Sequence, residues 1–310
     1  MRDPREVVIV GSGPSGYTAA IYTARAGLSP LLFEGSLGAG GALMNTTEVE
    51  NFPGFPEGVQ GPDLMAAMRA QALRFGAELI TDDVLSLDLR GDIKRVVDSE
   101  ENVHEAKTII LATGSAYRTL GIPDEGRLNG RGVSYCATCD GFFFRGKDIA
   151  VVGGGDTALE EANFLSRFGN SVTVVHRRGE FRASQVMVDR AKANPKIHFA
   201  LESVVTQLHG ENQLESVTLT DTLTGGKREL AVQGLFVAIG HIPRSELVRG
   251  QVDLDGDGYV KVASPSTSTN LAGVFATGDL VDRTYRQAIT AAASGCRAAL
   301  DVERYLEALL

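Results

Sequence analysis

Two of the three cysteines in this 310-residue chain are separated by two residues, as Cys136-Ala137-Thr138-Cys139, with Asp140 directly after them. Thiols at this spacing can close a small disulfide ring, serve as a structural pair, or supply half of a zinc site. A four-ligand zinc site needs two more donors. Cys296 lies in an expected C-terminal helix and the five histidines are scattered without ligand spacing, so no metal is expected. A redox dithiol is the preferred reading. Reduction of a disulfide produces a thiolate that must take up a proton, and a neighbouring carboxyl with a raised pKa can deliver it. Alone, Asp140 would read as a turn residue or helix cap; beside the dithiol it reads as the acid–base group.

A dithiol needs a source of electrons, and the flanking sequence offers two binding elements. Val7-Val8-Ile9-Val10 reads as a buried parallel strand, followed by Gly11-Ser12-Gly13-Pro14-Ser15-Gly16, a helix over Tyr17–Ala26 and a second strand, Leu31-Leu32-Phe33, ending at Glu34. This is the dinucleotide-binding fingerprint. Gly11 allows the tight turn, Gly13 lets a pyrophosphate approach the backbone, and Gly16 lets helix pack on strand. The pattern returns 142 residues on. The strand is Ile149–Val152, the loop Gly153-Gly154-Gly155-Asp156-Thr157-Ala158, the helix Ala158–Phe168 and the second strand Ser171–Val175. The position matching Glu34 is His176, followed by Arg177 and Arg178. A carboxylate there accepts from a ribose diol and repels a 2′-phosphate, whereas arginines attract one. Charged hydrogen bonds contribute about 1.5–3 kcal/mol each. The first unit is therefore expected to hold an unphosphorylated dinucleotide, FAD or NAD, and the second NADPH. Hydride passing from nicotinamide to flavin, and electrons from flavin to a disulfide, would join the three elements.

Three strand ends, Ile109–Gly114, Phe236–Gly240 and Gly273–Asp279, fall at regular places in these units and are expected to border bound cofactor. Arg286-Gln287-Ala288 opens the last helix. Asp253–Gly258 resembles the start of a calcium loop, but the twelfth position is Ser264 rather than Glu, so a turn is expected. Cys296, on an apolar stretch, is expected to be a packed core thiol. Hydrophobic residues make up 43% and charged residues 22%, which excludes disorder and a fibre. The net charge of −9, with no long basic run, argues against nucleic acid. No apolar run reaches the roughly 18 residues of a membrane span. The polar Met1–Glu6 segment lacks the features of a signal peptide, so a cytoplasmic location is expected.

The chain resembles low-molecular-weight thioredoxin reductases over nearly its whole length. The resemblance rests on Gly11–Gly16, Thr46-Thr47-Glu48-Val49-Glu50-Asn51-Phe52-Pro53-Gly54, Ala112–Ser115, Cys136–Gly141, Gly153–Ala158, His176-Arg177-Arg178 with Phe181-Arg182-Ala183, Gly278-Asp279 and Tyr285–Ala288. It implies an α/β fold of two doubly wound, Rossmann-like domains. The FAD domain would comprise residues 1–118 and 247–310, with an NADPH domain of residues 119–246 inserted in it and carrying the dithiol. Segments near 117–121 and 243–248 would act as hinges for a rotation between hydride transfer and dithiol exchange. Cys139 would face the flavin and Cys136 would attack the disulfide of thioredoxin. FAD contacts would come from Gly11, Ser12, Gly13, Pro14, Ser15, Gly16, Glu34, Gly35, Gly41, Ala42, Asn51, Val84, Ala112, Thr113, Gly114, Gly278, Asp279, Arg286, Gln287 and Ala288. NADPH contacts would come from Gly154, Gly155, Asp156, Thr157, His176, Arg177, Arg178, Arg182, Ile239 and Gly240. Family members are homodimers. Ala42 departs from the family, which often has Gln there, so a backbone contact is expected at that place. The short stretch before the first strand argues against the related flavoprotein subunit of alkyl hydroperoxide reductase, which carries an extra N-terminal redox domain.

Overall fold

The computed structural model describes residues 3–36, 39–46 and 48–310; Thr47 of the motif above lies outside them. The chain opens with Arg5–Val10 (β1), in which Val7, Val8 and Ile9 are fully buried. Pro14–Arg25 (α1) starts on a proline, which suits a first turn where its missing N–H has no partner to lose, and stops before Gly27 at φ +79°. Next come Leu31–Phe33 (β2), Gly61–Arg74 (α2), Glu78–Ile80 (β3), Val84–Asp88 (β4), Lys94–Asp98 (β5) and Val103–Leu111 (β6). The middle of the chain forms Val133–Ser134 (β7), Ala137–Asp140 (α3), Asp148–Val152 (β8), Asp156–Leu165 (α4), Ser171–Val175 (β9), Gln185–Ala193 (α5) and Ile197–Ala200 (β10). Ser203–His209 (β11), Ser216–Asp221 (β12), Lys227–Ala231 (β13) and Gly234–Val237 (β14) follow. The chain ends with Val274–Ala276 (β15) and Ala288–Glu307 (α6). Two compact units result: Met1–Ala116 with Ile242–Leu310, and Tyr117–His241. Among the described residues no helix is long and apolar enough to cross a membrane.

The first unit is built on a sheet of order β3-β2-β1-β6-β5-β4, with β15 beside the far end of β6. The four pairings that flank the glycine loop, β1·β2, β1·β6, β2·β3 and β6·β15, are parallel, and β4 and β5 extend the sheet antiparallel. Alternation along each strand divides the core. Val7, Ile9, Leu32 and Ile110 face the helices α1, α2 and α6, while Val8, Leu31, Ile109 and Leu111 face Leu87, Val248, Val260 and Leu280. The register sets Val10 beside both Phe33 and Leu111, and Leu111 beside Ala276. The next residues, Gly11, Glu34, Ala112 and Thr277, therefore gather at one carboxyl edge of the sheet, where open α/β sheets take their ligands.

The second unit repeats this plan in a five-stranded parallel sheet of order β7-β14-β8-β9-β10. One face packs on α3, α4 and α5 through Ala137, Leu159, Leu165 and Val188. The other is covered by the antiparallel β11-β12-β13 sheet through Val205, Val217 and Leu219. Val152 pairs with Val175 and with Val237, so Gly153, His176 and Ala238 share the carboxyl edge.

Candidate functional site

At the first unit's edge the glycines are required by contact. Gly11 adopts φ +107°, and a Cβ there would lie 2.3 Å from the Ala112 carbonyl oxygen. A Cβ on Gly16 would lie 1.9 Å from the Gly11 carbonyl, whereas one on Gly13 would meet nothing within 4 Å. Gly13 thus faces open space, the cradle that a diphosphate approaching the backbone would use. Ser12 spans this cradle: its hydroxyl donates to the Glu34 carbonyl (2.7 Å) and accepts from Gly40 N–H (2.9 Å). Gly41 lies over the loop, with its Cβ direction 3.1 Å from Gly13 Cα, and Ala42 follows in an exposed 3₁₀ turn. Pro14 and Ser15 open α1, Ser15 being buried. Gly35 N–H donates to the Asp82 carbonyl (3.1 Å), and Val84 at the start of β4 is half-buried.

The other rim comes from the chain's return. Gly278 takes φ +69° with its Cβ direction 2.5 Å from Ser15 Oγ, and its N–H donates to Ser294 Oγ (2.9 Å). Thr113 Oγ1 donates to the Arg244 carbonyl (2.7 Å), and Arg244 N–H to the Gly114 carbonyl (3.0 Å). Gln287 caps α6 in a reciprocal pair with Thr290, ahead of Ala288, and its amide oxygen accepts from Asn51 Nδ2 (3.3 Å). Burial pushes the Asp279 carboxyl up to about 6, with Asp282 adding to the effect and Arg286 opposing it. Arg286 holds φ +51°, unusual for a side-chain-bearing residue, and its Nε is buried without a hydrogen-bond partner among the described residues. A buried uncommitted donor and a buried carboxyl, beside a glycine cradle, fit a polar ligand with both donors and acceptors, as FAD has.

Glu34 differs from the expectation. Its carboxylate is wholly buried and accepts four hydrogen bonds, from Tyr17 (2.6 Å) and Arg69 Nε (2.7 Å) at one oxygen, and from Arg69 (3.0 Å) and Thr81 (2.8 Å) at the other. Burial alone would raise this carboxyl, but the Arg69, Tyr17 and Thr81 bonds outweigh it and hold it below its ordinary value. An acceptor so occupied has no lone pair left for a ribose diol. The side chain faces α1 and α2 instead, and Arg69 and Tyr17 are the partners that sequence reading missed. They stand 35 and 17 residues away, with no local pattern to mark them.

The second unit's cradle has the same logic. A Cβ on Gly153 would lie 2.5 Å from the Ala238 carbonyl and 2.6 Å from the Ala158 methyl, so glycine at the first place lets alanine serve at the third. Gly155 faces open space. Asp156 accepts from Ser184 N–H (2.9 Å) and Oγ (2.7 Å), and Arg182 N–H donates to the Gly154 carbonyl (2.8 Å), which ties the loop after β9 to the cradle. Thr157, Arg177, Arg178, Arg182, Ile239 and Gly240 are exposed. His176 is not: it is buried, stacked on Phe181 at 5.4 Å, and pressed against Gly154. Burial lowers its pKa, and Arg182, Arg178 and Arg177 push the same way, so the ring is neutral at pH 7. Its Nε2 lies 3.1 Å from the Glu180 carbonyl, which can only accept, so Nε2 carries the hydrogen. The expected basic cluster is thus three exposed arginines over a neutral histidine buttress.

The same unit carries the dithiol. Cys136 and Cys139 form a disulfide around the start of α3, with Cα atoms 5.3 Å apart and Cys139 N–H donating to Cys136 Sγ (3.2 Å). Asp140 ends α3 with its carboxyl raised by burial; Ser134 Oγ donates to it (2.6 Å), partly offsetting the rise, and accepts from Cys136 N–H (3.1 Å). Ser134 went unnoticed in the sequence because it belongs to the strand before the motif. Cys296 is half-buried beside Tyr22 rather than in the core, and Asp253–Gly258 forms a turn in which Asp255 accepts from Asp257 and Tyr259 N–H.

Residues 5–295 match the family of pyridine nucleotide-disulphide oxidoreductases. A thioredoxin reductase of Streptomyces clavuligerus is 68% identical over 100% of this chain and 96% of that protein. The chain belongs to this family, in its thioredoxin reductase branch. A bifunctional thioredoxin reductase/thioredoxin of Mycobacterium leprae is 61% identical over 97% of the chain and 66% of its own length. The solved thioredoxin reductase of Streptococcus pyogenes superposes with a TM-score of 0.92 at 40% identity, over 97% of this chain and 98% of that one. The two parallel-sheet units are therefore the oxidoreductase fold, and the Cys136–Cys139 disulfide is consistent with the disulfide chemistry in the family's name.

Proposed function

We propose that the chain is an NADPH-dependent FAD flavoprotein that reduces the disulfide of thioredoxin, with FAD in the first unit and NADPH in the second. The carrying observation is that one small unit holds both a disulfide with a buried carboxyl beside it and a glycine cradle rimmed by three arginines. When bound, the two cofactors supply a hydride and its relay as an electron pair to the disulfide. Gly13 leaves room for the FAD diphosphate, with Gly11 and Gly41 shaping the turns beside it, and Asp279 and Arg286 offer an acceptor and a donor to its polar groups. Arg177, Arg178 and Arg182 would meet the 2′-phosphate, and Gly154, Gly155 and Thr157 the diphosphate of NADPH.

With the pair reduced, the Cys139 amide stabilises negative charge on Cys136 Sγ, which marks Cys136 as the attacking thiolate. Its sulfur bonds to one thioredoxin sulfur, and the other leaves as a thiolate that takes a proton. Cys139 then attacks Cys136 Sγ, restores the ring and releases the second thioredoxin thiolate, so one disulfide is reduced as another forms. Asp140, kept protonatable by burial, holds the proton at this place. The chain crosses twice between the units, and a rotation about those crossings would serve hydride transfer and exchange in turn. A homodimer belongs to this reading through the family resemblance, and a dithiol kept for exchange suits the reducing cytoplasm.

Cys136→Ser and Cys139→Ser are expected to abolish thioredoxin reduction while the purified proteins keep their flavin. Turnover by either variant would overturn the dithiol assignment.

A further inference from the structure

The buried Glu34 carboxylate sits at the place where this fold meets the ribose of a bound dinucleotide, yet all its acceptor positions are taken from within the chain. Its partners come from three elements: Tyr17 on α1, Arg69 on α2 and Thr81 after β3. The backbone of the same residue is held as firmly. Glu34 N–H donates to the Ile80 carbonyl (2.8 Å), and its own carbonyl accepts from Ser12 Oγ (2.7 Å). Beyond it, Ser36 N–H donates to Asp83 Oδ1 (3.0 Å). Ser12 in turn receives Gly40 N–H, so the order imposed at Glu34 reaches both walls of the glycine cradle.

We propose that Arg69 is a positioning residue for the dinucleotide site of the first unit, clamping Glu34 so that the ribose is met by the backbone around Glu34–Ser36 rather than by the carboxylate. The inference rests on the reading of that unit as an FAD site. Arg69 supplies two of the four bonds from a planar fork, the geometry suited to a carboxylate, while its own side chain remains partly exposed on α2. Without it, a fully buried carboxylate keeps only two neutral hydroxyl donors. Relief comes by rotating the carboxylate outward or taking up a proton, and either change loosens the Ser12–Glu34 wall.

The test is FAD titration of flavin-stripped protein, followed by flavin fluorescence, for the parent, Arg69→Met and Arg69→Lys, with NADPH affinity of the second unit measured in the same samples. Arg69→Met is expected to weaken FAD roughly ten- to a hundredfold and leave NADPH affinity unchanged. Arg69→Lys, which keeps the charge but not the fork, should recover part of the loss. Parent-like FAD affinity in Arg69→Met overturns the inference, as does equal loss of FAD and NADPH, which would mark general destabilisation. If Arg69→Met does not fold, Thr81→Val and Tyr17→Phe replace it. Each should weaken FAD several-fold with NADPH affinity kept, and no loss in either overturns the inference. A parent protein that takes up no FAD overturns the underlying FAD reading and this inference with it.

Discussion

Asp279 shows how far burial can shift the chemistry of a single side chain. Its carboxyl is raised in the fold from 3.8 to about 6, chiefly by burial. A group that holds its proton more tightly when folded contributes stability that is fully present below its unfolded pKa and is lost as pH rises through its folded pKa. Flavin-free protein should therefore lose up to about 3 kcal/mol between about pH 4 and pH 7 from this residue. Asp279→Asn should melt higher than the parent near pH 8, with the gap shrinking near pH 5; an equal shift at both would contradict the assignment. Such a cost is retained where an acceptor is needed for a bound group. At this scale the sequence disclosed residue types but not their pairings. Glu34 and His176 were legible as the residues after each second strand, and both turned inward, because the choice between ligand and buttress depends on Tyr17, Arg69, Phe181 and Gly154, which only the fold brings near.

At the scale of elements, most of the architecture could be read directly. Leu31–Phe33 and Ser171–Val175 are strands with the expected limits, because short, largely apolar runs that follow turn residues leave little alternative. The two nucleotide helices begin two or three residues before the expected starts, at Pro14 and Asp156, since proline and aspartate both suit a first turn. Gly295 was not legible. A Cβ there would lie 2.1 Å from the Ser15 carbonyl, so this glycine lets α6 touch the backbone of α1, a contact between segments nearly the whole chain apart. The glycines of one loop also separate by role. A Cβ on Gly154 would lie 2.1 Å from the His176 ring, while one on Gly155, in extended backbone, would meet nothing. Gly154→Ala should lower stability by about 1–3 kcal/mol through the displaced ring. Gly155→Ala should melt like the parent and raise the KM for NADPH, because its methyl stands where the diphosphate must approach. The reverse pattern of melting temperature and KM would refute the cradle.

For the whole molecule, the repeat of strand, glycine loop and helix pointed to two nucleotide sites, and the structure places each glycine loop at the carboxyl edge of its own parallel sheet. The long return of the chain after Ile242, which completes the first unit with β15 and α6, follows from strand pairing across 165 residues, from Ile109 to Val274. No local periodicity encodes that pairing; the resemblance to the family implies only that the first domain is discontinuous. In the proposed function, electrons from NADPH leave this molecule through the Cys136–Cys139 pair to thioredoxin. The most direct test is NADPH oxidation by the purified flavin-loaded protein, with and without oxidised thioredoxin, and with NADH at the same concentration. Rapid consumption of NADPH is expected only when thioredoxin is present, with much slower consumption of NADH. Oxidation of NADPH at the same rate without thioredoxin, or flavin reduced by NADPH that thioredoxin cannot reoxidise, would contradict it.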